Sequence, residues 1–455
     1  MNALRASVPR LVFGQPWSNR LPWRLHAMAD HYSLARAYDR TRPPQWTFRQ
    51  ETASASLLFA GDLALHRWQH DDSIERVFGG VQDVFRSVDF RVVNLESVLT
   101  ERTEASGIIG RYIKAAPATL SCLQQLGVDT VCAANNHSLD FGSAGLAESQ
   151  TILREAGIAS CGIDERGAFD VSGSTVHVVN GVRIGMVAAT DHFGGTREQG
   201  ALSPVWLDRA SLRAAVQVLR ASCDVVVVQL HWGYEYVMYP LRWHRDFARQ
   251  LVDDGADIVC CHHAHVVMGV ERHGNGIIAH GLGNIWFGTR GTSHPAFRFG
   301  ILLRASVDQR GVVDAEVVPV YTDTSRAVRV EDRCVPGFDR LCAELRSDRT
   351  LNVVEASRVS VEIAALLQDV TGRSMQRDVA GLLERQQYLA APRHEWLLDH
   401  VSNTGSREWR AVAEWLRYFC SASREVVDRV GFTAPPAVRG LAQRADSRRL
   451  RGRWP

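Results

Sequence analysis

Five apolar, β-rich runs of this chain each stop at a small group of Asp, Asn, Glu or His residues. The run 57–60 ends at Gly61 and Asp62, 92–93 ends at Asn94, Leu95 and Glu96, and 130–132 lies just ahead of Asn135, Asn136 and His137. The run 225–229 ends at Leu230 and His231, and 258–259 leads to His262, His263 and His265. Carboxylate, amide oxygen and imidazole are the donors that hard and borderline divalent ions take, and no thiol motif competes with them. A single His at a strand end is ordinarily a hydrogen-bonded structural residue. Five such tips in order, separated by helix-like spacers, are hard to explain as core packing. The residues therefore read as a metal site, with Asp62 offering a carboxylate, Asn136 an amide oxygen, and His231, His263 and His265 imidazole nitrogen. In an extended segment the i, i+2 spacing of His263 and His265 puts both on one face and turns His262 away.

Such tips need a sheet to hold them. In α/β folds the buried strands are short apolar runs, and ligands gather just beyond their carboxyl ends. Helical patterns over 119–126, 144–156, 208–221 and 243–254 alternate with the strands, which predicts βα units. Asn180 and Gly181, between the runs 176–179 and 182–187, form a two-residue hairpin signal, and Gly311 marks a second turn, so the fold class is α/β with mixed sheets. Three parts follow. Residues 1–54 carry scattered Trp, Pro and Arg and form an N-terminal arm, 55–325 hold the α/β domain, and 326–455 form a helical C-terminal subdomain. Near Val330 the strand runs give way to helix-spaced apolar positions such as Trp409, Val412, Trp415, Leu416 and Phe419.

Composition narrows the function. The 455 residues carry a formal charge of +2, a near balance that leaves no nucleic-acid footprint. Nine cysteines without a CxxC pair, several in apolar runs (Cys132, Cys223, Cys260, Cys261), read as reduced, buried thiols of a cytoplasmic protein. Cys260 and Cys261 precede the His cluster, but neighbours on a strand face opposite ways, so packing explains them better than metal binding. No apolar stretch is long enough for a signal core or a transmembrane segment. The segment 288–291 lacks the length and ending of a nucleotide phosphate loop, and Ser97 lacks the elbow of a serine nucleophile.

The ordered series resembles a known family. Gly61 to Leu65, Asn94 to Ser97, Ala134 to Gly142, His231 to Tyr236, His262 to Val266 and Gly281 to Phe287 are similar to the motifs of the CapA family. That family is named for capsule and poly-γ-glutamate synthesis and is itself similar to the calcineurin-like metallophosphoesterases. The likeness covers about residues 55 to 325 and implies a layered α/β sandwich. It also implies that Glu96 bridges two ions, that His137 protonates a leaving group or stabilises developing charge with Asp140 orienting it, and that Asn284 belongs to a signature near the site. The cofactor implied is one or two divalent ions, Mn, Fe or Zn, which in a dinuclear site share an activated water. Two departures from the wider metallophosphoesterase pattern stand out: Ala64 occupies the place of a His two positions after Asp62, and Glu96 stands where Asp is usual. CapA-like proteins share the first departure. They are typically membrane anchored, and the absence of an apolar anchor here favours a soluble role.

Residues that would meet the substrate are fewer. Lys114 is the one lysine of the chain and sits where the CapA pattern carries a basic residue, facing either an anionic substrate or solvent. Arg67 and Arg111 could neutralise a carboxylate or phosphate by bidentate hydrogen bonds. Trp232, Tyr234, Glu235 and Tyr236 follow His231 and form either an aromatic wall with a polar acceptor or the packing that fixes the loop. The leading expectation is a metal-dependent hydrolase or transferase acting on an anionic, phosphate-bearing or γ-glutamyl, peptide-like substrate. The alternative is a non-catalytic accessory protein that holds poly-γ-glutamate or another polyanion for a synthetase partner. The C-terminal helices are the candidate surface for homo-oligomer formation.

Overall fold

Runs that are apolar at every position need cover on both faces, and two sheets packed face to face between helices supply it. A computed structural model describes residues 43–348 apart from 107–111, 165–172, 192–200, 234, 236, 289–294, 333 and 336. The first sheet has nine described strands. Across it run Gln45–Thr47, Gly311–Thr322, Phe299–Asp308, Ala55–Leu63, Phe90–Leu95, Thr130–Cys132 and Ala159–Cys161, with Asn284–Trp286 beside Ala55–Leu63 and Val328–Val330 beside Gly311–Thr322. The second sheet has six, in the order Val270–His273, Gly276–Ala279, Ile258–His262, Val225–His231, Val182–Thr190 and Thr175–Val179. Each mixes the two pairing senses. Ala55–Leu63, Phe90–Leu95 and Thr130–Cys132 are parallel neighbours, as are Val182–Thr190, Val225–His231 and Ile258–His262, whereas Phe299–Asp308 runs antiparallel to Ala55–Leu63.

The period of two along each strand divides its side chains between layers. Leu57, Phe59, Val92, Ile184, Met186, Val225, Val227, Ile258 and Cys260 interlock between the sheets. Leu58, Ala60, Val93 and Val131 face outward onto helices that contribute Phe78, Phe85, Leu123 and Leu153. Val226, Val228, Val259 and Cys261 face the opposite way, onto the Arg209–Arg220 and Arg242–Asp253 helices. Cys260 and Cys261 therefore fall in different layers, as strand alternation requires. All eight described cysteines are unbridged, and seven of them are buried. The result is the layered α/β sandwich with mixed sheets.

Local sequence explains the edges of these elements. Asp208 caps the Arg209–Arg220 helix by accepting from the Ser211 backbone N–H at 2.8 Å, and Leu212, Ala215, Val216 and Leu219 give that helix its apolar stripe. Asn180 and Gly181 adopt φ of 49° and 82°, which matches the right-handed twist of the strands they join. Gln45–Thr47, within the expected arm, is an edge strand antiparallel to Gly311–Thr322, and Val328–Val330 carries the first sheet beyond residue 325. Of the expected C-terminal helices, Phe338–Glu344 is present, and the segment 349–455 lies outside the described residues. No described helix is long and apolar enough to cross a membrane.

An ionic knot fastens the Phe338–Glu344 helix to the second sheet. Arg245 and Arg249 donate to the Leu345 carbonyl at 3.0 and 3.2 Å, and Arg249 and His280 both donate to Glu271 at 3.0 Å. Burial pushes the Glu271 carboxyl up, but His280 and Arg249 outweigh it and hold the group down to about 2, against an ordinary 4.5. Because the folded value lies below the unfolded one, the linked stability is complete above about pH 4.5 and is lost as the pH falls towards 2. Glu271→Gln should therefore cost about 3 kcal/mol in denaturant unfolding at pH 7 and converge with the native sequence near pH 2. Parallel unfolding curves with a constant gap across that range would refute the assignment.

Candidate metal centre

The parallel strands bring their carboxyl ends to one place between the sheets. Asp62, Glu96, His231, His263 and His265, drawn from four strand tips, are all buried there, none more than 6% exposed. Asp62 is aimed by a bulge, since the register between Ala55–Leu63 and Phe90–Leu95 shifts between Ala60 and Asp62. There the Asp62 backbone N–H donates to the Gly283 carbonyl at 2.9 Å. A Cβ on Gly61 would fall on that same carbonyl oxygen, so only glycine lets the two backbones meet.

The histidine tip departs from the expected extended geometry. The Ile258–His262 strand stops at His262, and His263 and His265 take φ of 85° and 56°, the left-handed region that costs a bulky residue roughly 1–3 kcal/mol. Their rings converge, with centroids 6.2 Å apart, because the backbone twists rather than because it alternates. His262 does not point away, as extended spacing required. It faces inward, with Nδ1 3.4 Å from Asp62 Oδ1 and Nε2 2.7 Å from Gln229 Oε1.

Two donor sets share one carboxylate. Glu96, His231 and His263 form one, Asp62, Glu96 and His265 the other, each with its ligand atoms within 4.8 Å of one another. In the first set His231 Nε2 lies 2.9 Å from Asn136 Oδ1 and 3.1 Å from His263 Nδ1. Donors bound to one ion at about 2.0–2.2 Å stand about 3 Å apart, so this spacing suits a common cation. In the second, His265 presents Nδ1 to Asp62 Oδ2 at 3.1 Å and Nε2 to Glu96 Oε1 at 3.5 Å. Neither oxygen of Glu96 has a hydrogen-bond partner among the described residues, although the side chain is fully buried. A buried carboxylate without a partner is costly, and a cation at each oxygen would remove the cost. The donor set therefore fits one or two divalent ions.

The electrostatics agree. Burial drives Glu96 well above the ordinary carboxylate range, a trend that His265 opposes and Asp62 and Glu235 reinforce. Burial also pushes Asp62 up, but the neighbouring imidazoles of His262 and His265 outweigh it and hold the carboxyl well below its usual value. His265 would be driven down by burial, yet Glu96 and Asp62 raise it to about 10.

His137 stands at the rim. Its Nε2 lies 3.9 Å from Glu96 Oε1, while its Nδ1 meets Asp140 Oδ2 at 2.7 Å, and Asp140 also accepts from the Ile113 backbone N–H at 2.6 Å. Asn284 accepts at Oδ1 from His265 Nδ1 at 3.0 Å and donates through Nδ2 to the backbone carbonyls of His265 and Phe297, so it touches a ligand rather than open space. Glu235 lies close enough for its charge to act on Glu96 and His265. Trp232 is 4% exposed and packs on Trp243, His244 and Phe247, the packing half of the alternative posed for it. Lys114 donates to the Arg102 carbonyl at 2.7 Å and lies over the Phe141 ring. Arg67 donates to the Gly288 carbonyl at 3.3 Å. Arg111, Tyr234 and Tyr236 lie outside the described residues. Ala64 is fully buried, and His66 packs on Phe287, which also packs on His265.

Two participants escaped the sequence reading. Asn94 donates to Asp62 Oδ1 at 2.8 Å and approaches His231 Nδ1 at 3.2 Å, tying the two donor sets together. Its signal was its place two residues before Glu96, which puts both on one side of the strand. His262 was visible as a polar residue at a strand end, but its direction was not.

Residues 56–289, just over half of the chain, match the family described as bacterial capsule synthesis protein PGA_cap. A PGA biosynthesis protein CapA from Bacillus subtilis is 27% identical over 292 residues, which are 61% of this chain and 74% of that one. A probable polyglutamine synthesis accessory protein from Mycobacterium tuberculosis is 30% identical over 227 residues, 47% of this chain and 59% of that one. Among solved structures, a 5′-nucleotidase from Candida albicans aligns with 68% of this chain and 60% of its own at 10% identity and a TM-score of 0.33. With its motifs in order along the matched span and their side chains gathered at one centre, the chain belongs to the CapA family of bacterial capsule synthesis proteins.

Proposed function

We propose that this protein is a metal-dependent hydrolase or transferase whose centre acts on an anionic substrate bearing phosphate or γ-glutamyl groups. The observation that carries this reading is Glu96, wholly buried, with neither oxygen hydrogen-bonded among the described residues, and shared by two imidazole-bearing donor sets. Asp62, Glu96 and His265 would hold one ion, and Glu96, Asn136, His231 and His263 the other. When bound, such a pair supplies Lewis acidity and lowers the pKa of a water to make a nucleophile. The chain's own residues then divide the remaining work. Asp140, itself anchored by the Ile113 N–H, fixes the His137 ring through Nδ1 and leaves Nε2 facing the centre to hand a proton to the leaving group. Asn284 fixes the His265 ring through Nδ1, leaving Nε2 for a cation. Position 64, an alanine, gives the Asp62 set one imidazole fewer than the wider metallophosphoesterase pattern, so the two sites should differ in affinity.

A second reading is favoured by the name of the Mycobacterium relative, an accessory protein of polymer synthesis. In that case the centre binds a polyanion for a synthetase without turning it over. Incubation with poly-γ-glutamate separates the two: chain shortening or amide exchange supports the enzyme, and saturable binding without any product supports the accessory role.

Metal analysis of the purified protein should find one or two divalent ions per chain. Thermal unfolding should rise with added Mn2+, reaching about 2.7 kcal/mol of extra stability at a hundredfold excess over Kd. Glu96→Gln should abolish that rise, and a variant that responds like the native chain would remove Glu96 from the site.

His137→Ala should keep the metal content but lower kcat on a generic phosphodiester or γ-glutamyl amide by about 100- to 10,000-fold. Loss of metal together with activity would make His137 a ligand instead.

A further inference from the structure

The structure assigns His262, backed by Gln229, as a positioning residue for the Asp62 carboxylate, an inference that rests on the metal reading above. Gln229 and His262 lie on adjacent strands of the second sheet and share its inner face with Val225, Val227, Ile258 and Cys260. The apolar layer between the sheets thus turns polar just beneath the centre, where both residues are buried, His262 at 3% and Gln229 at 1% exposure.

The two oxygens of Asp62 have different neighbours. Oδ1 accepts from Asn94 Nδ2 at 2.8 Å and faces His262 Nδ1 at 3.4 Å, whereas Oδ2 faces His265 Nδ1 at 3.1 Å and the His263 backbone N–H at 3.3 Å. Oδ1 is therefore gripped from the core side, and Oδ2 is turned to the histidine ligands. The grip depends on which nitrogen of His262 carries hydrogen. With Gln229 Oε1 towards Nε2, two buried atoms, Gln229 Nε2 and His262 Nδ1, are left without a hydrogen-bond partner among the described residues. Half a turn of the Gln229 amide lets its NH2 donate to Nε2, and the imidazole then donates Nδ1–H to Asp62. One rotation satisfies both nitrogens. It also locks a Gln229, His262, Asp62 chain behind a ligand in the set that lacks an imidazole at position 64, where a well-aimed carboxylate matters most.

Cobalt(II) titrated into the metal-free full-length protein, followed by calorimetry and visible absorption, tests this. His262→Ala should keep the native number of ions and the native absorption per ion, while affinity at one site falls about 10- to 100-fold. Gln229→Leu should shift it in the same direction by less, and it carries the comparison if His262→Ala fails to fold. Native affinity in both variants would overturn the assignment, as would loss of an ion with altered absorption, which would make His262 a ligand. A metal-free thermal double-mutant cycle of His262→Ala and Asp62→Asn should give melting shifts that do not add, and additive shifts would overturn it. If the native protein takes up no cobalt, the metal reading fails, while the cycle still decides the contact between His262 and Asp62.

Discussion

A carboxylate held inside a protein with no hydrogen bond to either oxygen among the described residues is the constraint around which this molecule is arranged. Glu96 sits where the tips carrying Asp62, Asn136, His231 and the His263–His265 pair meet, and the layers on either side of it are apolar. Low dielectric makes an unpaired group there expensive and makes any cation that reaches it tightly held. The Glu96 charge helps lift His265, and the imidazoles of His265 and His262 in turn depress Asp62. The fold tolerates this arrangement because the cost falls at one end of a large sandwich that also buries three large apolar clusters.

Two backbone devices convert strands into ligand holders. The bulge at Gly61 draws the Gly283 carbonyl against the Asp62 N–H, which seats Asn284 beside the ligand it supports. Beyond the strand that ends at His262, left-handed turns at His263 and His265 set the two imidazoles with their centroids 6.2 Å apart. Strain of this kind persists only where surrounding packing over-determines it, and the flanking Val266 and Val267 are buried in the inter-sheet layer.

Family membership and site geometry bear on different questions. The matched span covers the strands that carry the donors, so it accounts for the order of the motifs. Chemistry depends instead on donor spacing and on the rim, where His137 and Asp140 form a coupled pair and Glu235 adds negative charge. Of the cations expected to meet an anionic substrate, Lys114 donates to a backbone carbonyl beside an aromatic face and Arg67 donates to the Gly288 carbonyl.

Much was legible from residue order, because local rules govern it. Fully apolar runs announce strands covered on both faces, Asn180 and Gly181 announce a hairpin, and the stripe 212, 215, 216, 219 announces a helix, since each depends on period or turn chemistry within a few residues. The donor types at the strand tips were readable for the same reason. Direction was not. That His262 turns inward, that His263 and His265 converge through positive φ, that Asn94 joins Asp62 to His231, and that Trp232 serves packing all follow from which strands become neighbours. The sequence by itself determined the inventory of candidate donors and the sheet that carries them. Only the tertiary structure decided which oxygen faces which nitrogen, because that depends on register, a bulge and sheet-to-sheet packing between residues as much as two hundred positions apart.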